Sequence, residues 1–178
     1  GTKAAYVEVD AEVRPLLRAS FGVRYEDAAE KIETLDVFTP TRAIFARTIK
    51  RDYLLPEGTV TWNFAEDQQF RVGASKTMGR PQFRELAPQR YRDVDTDRIL
   101  TGNPYLEDTQ IYNFDARYEH YFENNQYATA GVFYKRLNKP VESLALLGSD
   151  GAFQQTYYNA PRADLFGVEL DGKKYLDI

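Results

Sequence analysis

The chain has 178 residues, with 23 Lys plus Arg against 27 Asp plus Glu and a formal net charge of −4. That size is one domain's worth as a prior, and the acidic balance speaks against a nucleic-acid partner, because phosphate binding needs a basic surplus. With no cysteine and His120 the one histidine, a disulfide frame, a thiolate nucleophile and a Cys-ligated zinc site are excluded, and a His-rich metal site has little room.

At 43% hydrophobic and 28% charged the composition is that of a folded chain. No run of 18 apolar residues is present, so no transmembrane helix is expected. Thr2-Lys3-Ala4-Ala5 leads straight into a strand pattern, and no signal-peptide pattern is read there.

The first strand is expected over 5–13, where Val7, Val9, Ala11 and Val13 alternate with Glu8, Asp10 and Glu12. A period of two marks a half-buried strand, since successive side chains point to opposite faces. After a tight turn at Arg14-Pro15, a second strand over 17–26 sets Leu17, Ala19, Phe21, Val23 and Tyr25 against Arg18, Ser20, Gly22, Arg24 and Glu26. Further strands follow over 59–64, 69–76, 111–121, 127–136 and 163–171, each with one apolar face. No stretch of comparable length carries a 3.6-residue stripe. Short turns at Ala65-Glu66-Asp67 and Glu123-Asn124-Asn125 alternate with long polar connections over 27–52, 77–110 and 137–162. Outer-membrane barrels place short turns at one end and long loops at the other. Ten residues at about 3.3 Å each, tilted by about 45°, span about 23 Å, close to the apolar band of such barrels. The expected fold is therefore all-β: an antiparallel up-and-down sheet of roughly seven strands with the turn pattern of an outer-membrane β-barrel.

The register follows from the same period. Val7, Val9, Phe21, Val23, Trp62, Val72, Phe114, Val132 and Val168 are expected on one face, with Glu8, Arg24, Arg71, Asp115, Arg117 and Glu169 on the other. Aromatic residues make up 14% of the chain. Tyr25, Trp62, Phe64, Phe70, Tyr118, Phe122, Tyr127 and Tyr134 lie near strand ends, where interfacial girdles are found.

Several stretches carry more specific pattern. They run in order from Gly22-Val23-Arg24-Tyr25-Glu26 and Ser75-Lys76-Thr77 through Arg80-Pro81-Gln82-Phe83-Arg84-Glu85-Leu86-Ala87-Pro88 to Gly102-Asn103-Pro104-Tyr105-Leu106. Then come Asn113-Phe114-Asp115-Ala116-Arg117-Tyr118-Glu119, Gly131-Val132-Phe133-Tyr134-Lys135, Lys139-Pro140-Val141-Glu142, Asn159-Ala160-Pro161 and Gly167-Val168-Glu169-Leu170. This ordered set resembles the mid-to-late barrel region of TonB-dependent outer-membrane receptors. The resemblance implies a barrel of about 22 strands filled by an N-terminal plug, in the outer membrane of a Gram-negative bacterium. It also implies TonB-energised uptake of a scarce small-molecule nutrient, and no enzymatic activity or cofactor. Outer-membrane lipid, the plug and the TonB system would be the partners of the intact receptor. No plug and no TonB-contacting box are read in this chain, and Tyr175-Leu176-Asp177-Ile178 lacks a terminal aromatic. The expectation is a partial barrel over 1–178. The loops do not distinguish siderophore, cobalamin or saccharide. A soluble all-β binding module with an aromatic core is the alternative.

Candidate chemistry is sparse. His120 lies beside the turn at 123–125, where an interfacial role accounts for it better than catalysis, so no catalytic residue is assigned. Asp93-Val94-Asp95-Thr96-Asp97 begins like a calcium loop, but Arg98 stands where Gly belongs and Pro104 where a bidentate Glu belongs. No metal is assigned. Arg80, Phe83, Arg84 and Glu85 open the longest connection: either an arginine-rich base with a stacking face for an anionic or sugar ligand, or braces for the loop. Asn113, Asp115, Arg117 and Glu119 form a polar ladder that, in a full barrel, would bond to the plug or face a wet lumen. A solvated or headgroup-level position accounts for Lys50-Arg51 and Lys173-Lys174. Gly148-Ser149-Asp150-Gly151 is expected to be a loop tip.

Overall fold

The computed structural model describes residues 1–35, 43–93, 98–147, 151 and 153–175. Seven strands form one antiparallel sheet: β1 (Thr2–Arg14), β2 (Leu17–Leu35), β3 (Ala43–Ala65), β4 (Gln68–Gly79), β7 (Thr109–Phe122), β8 (Gln126–Asn138) and β11 (Arg162–Lys173). Each pairs with the next in that order, without crossover. Short turns join them at one end. Leu16 takes a left-handed conformation in the first turn, and Asn124 and Asn125 do so in the last, a role to which asparagine is suited.

The register is as the period of two requires. Val7 lies opposite Val23, Val60 opposite Val72, Val72 opposite Ala116, Ala116 opposite Val132, and Val132 opposite Val168. These residues share one face, while Arg71, Asp115, Arg117 and Glu169 line the other. The apolar face is uncovered within the chain: Phe166 is 80% exposed, Leu170 79% and Val168 71%.

The stretches expected as long loops are largely strand. β2 and β3 stay paired from Leu17–Trp62 to Leu35–Ala43, far past the expected ends at 26 and 59. Their hydrophobic phase reverses on the way. In the lower part the odd positions of β2 (Phe21, Val23, Tyr25) carry the apolar outer face. Above Glu26 it is the even positions, Ala28 and Ile32, that are apolar and buried. In β3 the same reversal leads from outward Leu54, Val60 and Trp62 to inward Ile49. A strand leaving an apolar surround for water keeps its pleat, but the side that needs hydrophobic residues changes. A search for one unbroken phase therefore stops at the reversal.

The remaining connections build a second sheet of order β5-β6-β10-β9, from β5 (Arg90–Asp93), β6 (Arg98–Thr101), β9 (Val141–Leu147) and β10 (Phe153–Asn159). Strands β6 and β10 pair in parallel, contrary to the purely up-and-down expectation. β9 and β10 continue the β8–β11 hairpin after a sharp bend. There Lys139 is left-handed and donates its N–H to the Pro161 carbonyl, and the Ala160 N–H donates to the Pro140 carbonyl. Proline has no N–H for a continuing ladder, so Pro140 and Pro161 end the first sheet at the same level on both strands. A short helix, α1 (Phe83–Leu86), closes the cluster. Its core is Ile32, Ile49, Leu86, Leu100, Leu106 and Tyr157, with Phe45 and Val141 packed against it. The only large side chains buried completely, among the described residues, are Leu86 and Leu106, both in this cluster.

Candidate ligand-binding loop cluster and polar face

The cluster is held over the long-loop end of the sheet by inward side chains of the projecting β2–β3 hairpin. Arg47 donates to the Pro104 carbonyl, and its guanidinium lies 4.9 Å from the centroid of the Tyr105 ring. Arg51 donates to the Leu106 carbonyl at 2.8 Å and pairs with Asp108, whose side chain is fully buried. Tyr53 donates to the second Asp108 oxygen at 2.9 Å. A carboxylate out of water holds its charge only beside such partners. The position beside Arg51 is thus not the solvated one expected for Lys50-Arg51: Lys50 is exposed, but Arg51 is a strut.

Two asparagines fasten the cluster internally. Asn103 receives the Tyr105 N–H on its side-chain oxygen at 2.9 Å, donates its amide to the Tyr157 carbonyl at 3.0 Å, and donates its backbone N–H to the Glu85 carbonyl at 2.6 Å. Asn159 pairs with both backbone groups of Glu107 and donates to the Lys139 carbonyl. Burial pushes the Tyr157 phenol above its usual range, with Tyr91 a smaller contributor.

Of the four loop-base candidates, two are braces by geometry. Arg80 donates to the nearly buried Glu26 and lies 3.6 Å from Glu30. Glu85 closes a capping box on Gln82, receiving its N–H at 2.8 Å. Phe83 and Arg84 point away from the packing on α1, with Phe83 72% exposed. Tyr105, also largely exposed, lies on the segment that Asn103 ties to α1. The cluster therefore presents Phe83, Arg84 and Tyr105 on a fixed frame.

The four ladder residues lie on one face of β7. Asn113 donates to Ser75 and Thr77 at 3.2 Å each. Asp115 lies across from Gly73, where a Cβ would meet its carboxylate at 2.7 Å. Arg117 lies 3.2 Å from Glu119, and buried Glu119 also accepts from Gln69 and Tyr121. Arg71 and Arg117 are directly opposite one another across β4 and β7. Like charges in that relation repel unless an anion meets them.

The aromatics at the turn end sit on the apolar face. Trp62 touches Phe64 at 5.4 Å between ring centroids, Phe64 touches Tyr118, and His120 stacks on Phe122 at 4.2 Å with Asp67 at its Nε2. Tyr127 departs from the expected girdle. It lies opposite Tyr121 and Lys173 on the polar face, because its odd position in β8 points the other way. The acidic stretch 94–97 and residues 148–150, expected as part of a loop tip, lie outside the described residues, as do 176–178.

Sequence reading missed the structural roles of Arg47, Arg51, Tyr53, Asn103, Asp108 and Asn159. The signal for the first three was the alternation of Phe45, Arg47, Ile49, Arg51 and Tyr53 with exposed Ala46, Thr48, Lys50 and Asp52. It is visible once a reversed phase is allowed.

A family model described as TonB dependent receptor-like, beta-barrel, matches residues 1–177. No curated protein matches the sequence. The fold is similar to that of the siderophore receptor PirA from Pseudomonas aeruginosa (TM-score 0.70, 17% identity), with 95% of this chain covering 30% of that one. It is also similar to the Serratia marcescens hemophore receptor HasR, solved with its hemophore HasA and heme (TM-score 0.67, 12% identity, 97% of this chain and 32% of that one). A third is the ferric enterobactin receptor PfeA from Pseudomonas aeruginosa (TM-score 0.65, 17% identity, 95% and 24%). The chain thus spans a quarter to a third of the structures it matches.

Proposed function

The chain belongs to the TonB-dependent receptor β-barrel family, and we propose that it forms part of an outer-membrane receptor that binds a scarce nutrient outside the cell and imports it with TonB-derived energy. The observation that carries this reading is the reversal of hydrophobic phase in β2 and β3. It marks a level below which the outside of the sheet is apolar and above which the inside is. A soluble sandwich has one apolar side along the whole strand; a strand crossing from hydrocarbon into water does not.

In this reading the sheet is a partial barrel over 1–178, with the polar face toward the lumen and the plug. The opposed Arg71 and Arg117 would meet plug carboxylates, and Asn113, Asp115 and Glu119 its polar groups. The loop cluster faces the cell exterior. Phe83 and Arg84, with Tyr105 beside them, would meet the nutrient by stacking and charge-assisted bonding. Arg80 and Glu85 would hold α1 in place.

The test is uptake of a labelled panel of ferric siderophores, heme, cobalamin and saccharides by cells carrying the full-length receptor, with and without functional TonB. The reading expects TonB-dependent accumulation of one class, lowered by Phe83→Ala with Arg84→Ala at unchanged receptor abundance. No TonB-dependent accumulation of any class would contradict it.

A further inference from the structure

The two edges of the second sheet differ in chemistry. At one edge β5 presents Arg90 and Arg92, both exposed. Charged side chains are a usual means by which a sheet edge resists pairing with another strand. At the other edge β9 reads Val141-Glu142-Ser143-Leu144-Ala145-Leu146-Leu147, with five apolar residues of seven and no charge after Glu142. Its one partner among the described residues is β10, so its second row of backbone N–H and C=O groups is open. Between Val141 and Leu147 there is no proline, no lysine and no break of register that would blunt this row.

Both faces of β9 carry large apolar side chains as well. Leu144 and Leu146 stand on one face, opposite Thr156 and Gln154, and Leu147 stands on the other, opposite Phe153. Leu146 is 53% exposed, Leu147 67% and Phe153 58%. The strand starts at the cluster, where Val141 packs against the core, and runs out of it. Its neighbour β10 is the more polar strand, with Gln154, Gln155 and Thr156 at its centre. The sheet thus holds a polar strand inside and an apolar one at its rim, the reverse of what contact with water favours. An apolar run without alternation is the pattern of a strand covered on both faces. Left open in water, such an edge would be a site of aggregation.

We propose that β9 is an interior strand of a larger sheet in the intact receptor, its free edge paired and its leucines covered by the extracellular connection that follows β11. The proposal rests on the outer-membrane reading above and adds to it a specific contact between connections. The chain spans a quarter to a third of the structures it matches, so most of such a receptor, with its other long connections, lies outside it. The sheet already grows by this means. Strands β5 and β6 come from the connection between β4 and β7, while β9 and β10 come from that between β8 and β11; the parallel pairing of β6 with β10 joins them. In this order the earlier connection occupies one end and β9 the other, so the open edge is turned away from the strands already added.

The test uses the purified full-length receptor in mild detergent, with hydrogen exchange resolved residue by residue across 141–147. A strand paired on one side protects about every second amide, because alternate N–H groups point to the open edge. The proposal expects consecutive amides from Ser143 to Leu147 to exchange about a hundredfold more slowly than in an unpaired chain. Alternating fast and slow amides would overturn it. Leu146→Asp should restore that alternation, and unchanged protection in this variant would overturn the apolar contact. Ser143→Cys carrying a benzophenone identifies what lies alongside, since this segment has no cysteine of its own. The expected photoproduct is a link within one chain, to the connection after β11. A link to a second copy or to another protein would overturn the occupant, as would the absence of any link. Recovery of heat-resistant barrel from the outer-membrane fraction checks the reading beneath. Alternating exchange in a receptor so recovered defeats the β9 contact alone; absence of the receptor from that fraction defeats the membrane placement itself.

Discussion

Asn159 pairs with Glu107 as a strand residue would, through its side chain: the Glu107 N–H donates to Oδ1 at 2.8 Å, and Nδ2 donates to the Glu107 carbonyl at 2.9 Å. The amide thereby joins the end of β10 to the segment before β7 without a further strand. Around this node Lys139 reaches Glu107 at 2.6 Å and the Thr109 hydroxyl donates to the Lys139 carbonyl at 3.1 Å. The bend that lifts β9 and β10 out of the first sheet is held at this point.

Asn159→Ala should release that segment. The two side-chain bonds to the Glu107 backbone, at about 0.5–1.5 kcal/mol each, are lost along with the one to the Lys139 carbonyl, so exchange of the Glu107 amide should quicken by about tenfold to a hundredfold. Hydrogen exchange read by mass spectrometry on peptides covering 102–108 checks this. The strands β1 to β4 should keep their protection.

Gly102→Ala should misplace α1. A Cβ there would fall 2.2 Å from the Ala87 carbonyl oxygen and 2.8 Å from the Arg84 carbonyl oxygen, both backbone atoms that cannot swing away. Forced crowding of this kind costs about 1–3 kcal/mol or more. Ligand affinity should fall with Phe83 and Arg84 intact in sequence, while the amount of folded receptor in the membrane stays the same. A binding titration paired with quantification of heat-resistant barrel on a gel measures both.

Asp108→Asn should loosen the cluster more than Lys139→Gln. Asp108 is buried against Arg51 and Tyr53, and breaking a buried pair by neutralising one partner costs about 3–5 kcal/mol. The Lys139–Glu107 pair is exposed, and such pairs contribute about 0–1 kcal/mol. Limited proteolysis of the loop segments, compared at equal protease, distinguishes the two. Asp108→Leu combined with Arg51→Leu should recover part of the loss, because no lone buried charge remains.

The seven strands of the first sheet and their register were legible over the stretches where each keeps a single phase. Val72, Ala116, Val132 and Val168 meet in one row, as alternation alone dictates. The loop cluster was not legible for the same reason. Its apolar residues, Ile32, Ile49 and Leu106, are few and separated, and each faces a partner more than ten residues away in the chain. Motif residues such as Asn103 and Asn159 carried a family resemblance without disclosing their work, since a side-chain amide replacing a strand leaves no periodic trace. For Arg80 and Glu85 the sequence left a ligand-binding base and a brace both open, and only contact with Glu26 and Gln82 shows them holding the loop.

The central claim is that the apolar face of this sheet meets hydrocarbon. Val132 lies mid-strand on that face, between Ala116 and Val168, and Thr129 lies on the polar face with Arg117 at 3.4 Å. The decisive measurement is denaturant unfolding of the full-length receptor in lipid vesicles, comparing Val132→Arg and Thr129→Arg with wild type. A cation on the lipid face near the midplane costs about 2–4 kcal/mol, while a polar-face substitution stays within about 0.5 kcal/mol. A loss of that size at Val132 alone is the predicted result, and equal losses at the two positions would contradict the account.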